Sequence, residues 1–198
     1  MRTSFAVLAL ALASPALAVD VGAKAPAFTL TDLAGKPVSL SDFRGRVVVL
    51  EWFNPGCPYV RAAHTRGTLV DDPARHVRGG VVWLAVNSAA PGKQGFGAEA
   101  NRAAAESFRM EYPVLLDPTG EVGRAYGATN TPGMMVIDVE GRLVYRGAID
   151  NSPDGERQAP QGGTLVDYVS AALEDLAAGR SVRTPETKQY GCSVKYGS

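Results

Sequence analysis

Cysteine and histidine each occur only twice in the 198 residues, and neither sign of charge prevails, because twenty lysines and arginines balance twenty aspartates and glutamates. The balanced charge gives nucleic acid or an anionic membrane no basis as a partner. Two cysteines, Cys57 and Cys192, permit at most one internal disulfide. A domain of this size does not need one to fold, so a redox role is of more interest than a stapling role. Long apolar runs are also missing. The stretch Phe5 to Ala13 falls well short of the roughly 20 residues that span a bilayer, which argues against a membrane anchor. Internal repeats and low-complexity segments are absent as well.

The apolar stretch has a different use. Met1 and Arg2 precede it, and Ala16, Leu17 and Ala18 follow it as a small-residue cleavage pattern. Residues 1–18 therefore read as a signal peptide cut after Ala18, which makes the protein periplasmic or secreted. No cysteine follows the cut, which argues against a lipid-anchored form. Residues 19–179 are expected to form one domain, and residues 180–198 a tail carrying Cys192.

The domain is organised around Leu50 to His64, LEWFNPGCPYVRAAH. An apolar run stops at Asn54, Pro55 and Gly56, and Pro58 suits the first position of a helix, where its missing N–H would be unpaired anyway. Cys57 then becomes the N-cap, at the positive end of the helix, where an anion is favoured. Since the thiolate is the attacking form, this placement makes Cys57 a candidate nucleophile.

Around it the pattern alternates. Ala27–Asp32 and Val38–Leu40 read as a hairpin, Val47–Phe53 and Val81–Val86 as strands covered on both faces, and Ala98–Arg109 as a helix. Val114–Leu116 follows as a short strand, Glu121–Tyr126 as a short helix, Met134–Asp138 and Arg142–Ile149 as an antiparallel hairpin, and Leu165–Ala178 as the last helix. The helix starting at Cys57 carries Val60, Ala63 and Leu69 inward, and the segment from its end to Gly80 is too polar and broken to assign. The order implies an α/β domain with a mixed sheet and helices on both sides.

Trp52–Arg61 (WFNPGCPYVR), Gly127–Asp138 (GATNTPGMMVID) and Thr187–Tyr196 (TKQYGCSVKY) together resemble the thioredoxin fold in its redoxin branch, which includes peroxiredoxins and secreted thiol-disulfide proteins. The resemblance implies that Cys57 stands at the first position of a C-x-x-C motif whose second position is Val60. It implies that Glu51, six residues earlier, handles the thiol proton. The alternative is a strand-end glutamate facing solvent. Thr131 and Pro132 match the loop in which the fold sets a cis-proline beside the reactive cysteine, and with Pro58 they become substrate-contact candidates. Peroxiredoxins instead place their cysteine at the slot of Val60, a threonine where Asn54 stands relative to Cys57, and an arginine in the loop of Pro132. An ordinary peroxidase is therefore the second reading, an antioxidant one.

The tail has no helical pattern and reads as mobile. About 13 residues separate Gly179 from Cys192 and span about 40 Å when extended, enough to reach Cys57. Cys192 is thus a candidate resolving cysteine, with a disulfide-bearing protein or a small oxidant as substrate and an external thiol as reductant. No cofactor is called for. Two rivals remain: a permanent staple joining the two cysteines, and a soft-metal module made by Cys57 with His64, Met134 or Met135.

Overall fold

The structure, a computed structural model, describes residues 18–197, so the expected leader lies outside the described residues except for Ala18. In chain order the elements are β1 (Thr29–Asp32), β2 (Pro37–Ser39), β3 (Val48–Trp52), α1 (Pro58–Thr65), α2 (Asp72–Arg78), β4 (Val82–Asn87), α3 (Ala98–Ser107), β5 (Val114–Leu116), α4 (Glu121–Tyr126), β6 (Asn130–Thr131), β7 (Gly133–Ile137), β8 (Leu143–Gly147), α5 (Tyr168–Ala177) and β9 (Cys192–Ser193). Seven strands form one mixed sheet in the order β2-β1-β5-β4-β3-β7-β8, and β6 and β9 form a second, two-stranded sheet.

The centre is β3, every residue of which is buried. It runs parallel to β4 and antiparallel to β7, with Leu50 opposite Leu84 on one side and Met135 on the other. Strand alternation sends Val48, Leu50 and Trp52 to one face, against Tyr126 and Phe28. Val49 goes to the other, into the cluster of Ala63, Val169 and Leu173 contributed by α1 and α5. A sheet covered on both faces is what the unbroken apolar run of β3 requires.

The expected elements are present with shifted edges. The last helix begins at Tyr168, three residues after the expected Leu165, because the Asp167 carboxylate accepts the Ser170 N–H at 2.8 Å and so caps the helix. The third helix ends at Ser107, short of Arg109, whose φ of 53° breaks the helical path. The unassigned stretch holds a 3₁₀ turn at Thr68–Val70 and α2.

The tail departs most from expectation: it lies along the body. The Tyr145 hydroxyl is 2.7 Å from Thr187 Oγ1, and the Ala148 N–H donates to that oxygen at 2.9 Å. The Tyr190 hydroxyl donates to Asp150 at 3.2 Å, Val194 N–H to the Thr129 carbonyl at 3.0 Å, and the Tyr196 hydroxyl to the Ala128 carbonyl at 2.7 Å. Glycines make the seat: a Cβ at Gly120 or Gly123 would meet the Tyr196 ring, one at Gly133 the Gln189 amide, and one at Gly147 the Thr187 hydroxyl.

Candidate active site

Cys57 sits where β3 gives way to α1, in extended backbone (φ −82°, ψ 124°), with Pro58 as the first helical residue. Its carbonyl accepts the Arg61 N–H at 3.0 Å, the first bond of the helix. The turn before it is clamped: Asn54 Oδ1 accepts the Gly56 N–H at 2.9 Å, Asn54 Nδ2 donates to the Gln94 carbonyl at 3.0 Å, and Gln94 Nε2 donates to the Gly56 carbonyl at 3.1 Å. The thiol takes no hydrogen bond from the first-turn amides. It faces the Thr131 carbonyl at 3.1 Å and Cys192 Sγ at 2.7 Å instead. Cys57 is only 1% exposed, whereas Cys192 is partly exposed and Pro58 is exposed.

Two strands produce this meeting of sulfurs. In the β6–β9 pair, Thr131 stands opposite Cys192 and Asn130 opposite Ser193. The Asn130 side chain donates to the Gly191 carbonyl at 3.1 Å. Gly191, at φ 102°, crosses so close to the Thr131 carbonyl that a Cβ would collide with its oxygen and crowd Pro132. The Thr131–Pro132 peptide is cis. Thr131 Oγ1 is the one buried side-chain oxygen or nitrogen among the described residues that has no hydrogen-bond partner. An unpaired buried hydroxyl costs about 1–3 kcal/mol.

Burial first, then the hydrogen bond and charge of Cys57, push the Cys192 thiol up to about 11, with Lys195 opposing. Cys192 is therefore held as the protonated thiol beside Cys57 at neutral pH.

Glu51 is wholly buried, so the solvent-facing alternative is wrong. Its carboxylate lies 2.7 Å from His64 Nε2 and accepts hydrogen bonds from Trp83 Nε1 at 3.2 Å and the Tyr112 hydroxyl at 2.9 Å. Burial, then the charge and hydrogen bond of Glu51, hold the Tyr112 phenol well above its ordinary range, so it remains a donor. The His64 ring stacks on Phe108 with centroids 5.1 Å apart. Among the described residues Glu51 has these three partners and no hydrogen bond to Cys57.

The structure thus joins Cys57, Cys192, Thr131 and Pro132, and sets Glu51 in a separate network beneath α1. The soft-metal candidates have other surroundings. His64 is engaged by Glu51, and Met134 and Met135 are buried in different core clusters. Among the described residues no group of three or more histidine, cysteine, aspartate or glutamate side chains could hold a metal. Tyr112 and Trp83 were not recognisable as partners of Glu51, because nothing local in the sequence ties them to it. The link from Tyr190 to Asp150 was equally hidden.

A family model described as Redoxin matches residues 20–161. The chain belongs to the Redoxin family. Thiol-disulfide oxidoreductase ResA of Geobacillus thermodenitrificans is 33% identical over 129 residues, covering 64% of this chain and 68% of ResA. Chloroplastic peroxiredoxin Q of Sedum lineare is 28% identical over 131 residues, covering 64% and 62%. Among solved structures, the thioredoxin domain of a thiol-disulfide oxidoreductase from Bacteroides vulgatus superposes with a TM-score of 0.54 at 25% identity, covering 65% of this chain and 89% of that one. The fold of this redoxin is thioredoxin-like, and the protein is an oxidoreductase enzyme. Cys192 lies beyond the matched segment.

Proposed function

We propose that this redoxin is an exported thiol-disulfide oxidoreductase whose working pair is Cys57 and Cys192. The observation that carries the reading is the 2.7 Å separation of two sulfurs that stand 135 positions apart in the chain. The tail returns the partner thiol that the sequence lacks at Val60. For export, the support is the leader-like segment before residue 19. Among the described residues no helix is long and apolar enough to cross a membrane.

The cycle balances as follows. The Cys57 thiolate attacks one sulfur of a substrate disulfide, forms a mixed disulfide and releases the first substrate thiolate. Cys192 gives up its proton and attacks Cys57 Sγ, releasing the second substrate thiolate and closing the Cys57–Cys192 bond. The substrate gains two electrons and the cysteine pair loses two. An external thiol reductant restores the pair. The Thr131 carbonyl faces the Cys57 sulfur, and Pro132 and Pro58 follow these two residues in the chain, which supports the three as contacts for the incoming group. The two-residue β9 yields to admit it. Glu51 serves here as a positioning residue that fixes α1 through His64.

The test is mass spectrometry of the exported protein without reductant, followed by thiol trapping in glutathione buffers of stepped potential. A Cys57–Cys192 bond that opens within the glutathione range is the expected result. A bond that resists all but strong reductants makes it a staple, and two free thiols throughout remove the pair. Reduction of hydrogen peroxide without reduction of a disulfide substrate would move the enzyme to the peroxidase reading.

A further inference from the structure

We infer that the external reductant enters the oxidised protein at Cys192, forming its mixed disulfide there and expelling Cys57. The inference rests on the Cys57–Cys192 cycle proposed above and concerns its second half.

The two sulfurs have unequal surroundings. Cys57 is walled by Phe53, Val60, Ala85 and Val114, all buried, and the Gly191 crossing closes over the adjacent Thr131 carbonyl. Cys192 lies against Cys57 from the tail, 2.7 Å away. In the reduced protein the substrate reaches Cys57 on that side, where the short β6–β9 pair lies. In the oxidised protein Cys192 Sγ itself fills that side by a covalent bond. A thiolate attacks a disulfide sulfur opposite the bond that breaks. For Cys57, whose remaining surroundings are buried apolar residues, an attacker would have to come from within the core. For Cys192 that direction leads out of the tail, where Cys192 is partly exposed and Ser193 is exposed.

Leaving-group chemistry agrees with access. Burial, the leading cause of the raised Cys192 thiol, acts in the oxidised protein as well and disfavours Cys192 as the leaving thiolate, so displacement proceeds more readily when it keeps the new bond. The first reductant thiolate bonds to Cys192 Sγ and the Cys57 thiolate departs. A second reductant thiolate then attacks the reductant sulfur of that adduct, forming the oxidised reductant and releasing Cys192, which takes up a proton. Two electrons pass to the pair. Substrate and reductant thus use different cysteines.

The full chain is oxidised, the Cys57–Cys192 bond is confirmed by non-reducing peptide mapping, and the protein is exposed briefly to glutathione. Acid quenching, maleimide alkylation and a second mapping then place the adduct. Glutathione is expected on Cys192 with maleimide on Cys57, in about tenfold excess over the reverse arrangement. An adduct mainly on Cys57, or an even split, overturns the inference. Failure of the starting bond to form is a distinct result, which overturns the cysteine-pair reading itself and the entry point with it.

Discussion

Thr131 and Cys192 are opposite one another across β6 and β9, and this single register places the tail sulfur 2.7 Å from Cys57. The geometry depends on Gly191, whose φ of 102° and missing Cβ let the tail cross the Thr131 carbonyl. Gly191→Ala is expected to lift β9 away and slow closure of the Cys57–Cys192 bond about tenfold or more, since effective concentration falls steeply with small misplacements. Stopped thiol trapping during oxidation by glutathione disulfide measures this. An unchanged rate would show that β9 does not set the approach.

Closing the bond joins residues 135 apart, and the chain-entropy relation gives about 5 kcal/mol of stabilisation at 25 °C for a loop of that length. Urea denaturation of the oxidised and reduced forms should show the oxidised form more stable by up to this amount. The gap should vanish in Cys192→Ser. A gap of zero in the wild type would mean that the bond strains the fold as much as it restrains the unfolded chain.

Removing the Glu51 carboxylate leaves His64, Trp83 and Tyr112 without their common buried acceptor. Glu51→Ala is expected to cost about 3 kcal/mol or more, since up to three buried groups each lose a partner at about 1–3 kcal/mol. Tyr112→Phe, which deletes one donor, should cost about 1–2 kcal/mol. Urea midpoints of the two variants test the order. Equal losses would mean that Tyr112 carries the network as much as Glu51 does.

Asp167 is pushed up to about 6, chiefly by burial and then by its hydrogen bond to Asp72, with the Ser170 bonds opposing. The folded protein therefore holds a proton on this group between about pH 4 and pH 6 that the unfolded chain has released. The contribution is present below the unfolded value and is lost as pH rises through 6. Wild type should gain stability relative to Asp167→Asn on acidification from pH 7 to about pH 4. Denaturation series of both proteins across that window check the sign, and parallel profiles would contradict it.

What the sequence made legible has a common character. The strands β3 and β4 announce themselves because both faces are covered and the apolar runs are unbroken, and α1 does so through the local logic of Cys57 and Pro58. The tail was not legible, because its attachment depends on groups that are missing. The seat of Tyr196, Gln189 and Thr187 is made by absent side chains at Gly120, Gly123, Gly133 and Gly147, which in sequence look like ordinary turn glycines. The environment of Glu51 was hidden for a related reason. Its partners come from α1, β4 and the loop before β5, and only the folded sheet brings them together. The Cys57 sulfur was expected to face the helix amides, whereas the strand pairing turns it toward the tail.

The second sulfur belongs to a strap outside the seven-stranded sheet, and the stretch leading to it from Arg180 to Glu186 is largely exposed. A protease that cuts there, and a tail that then dissociates, would keep all seven strands and Cys57 in the chain while turning a two-thiol protein into a one-thiol protein. Trimming outside the seven-stranded sheet would thus remove whatever chemistry needs both thiols.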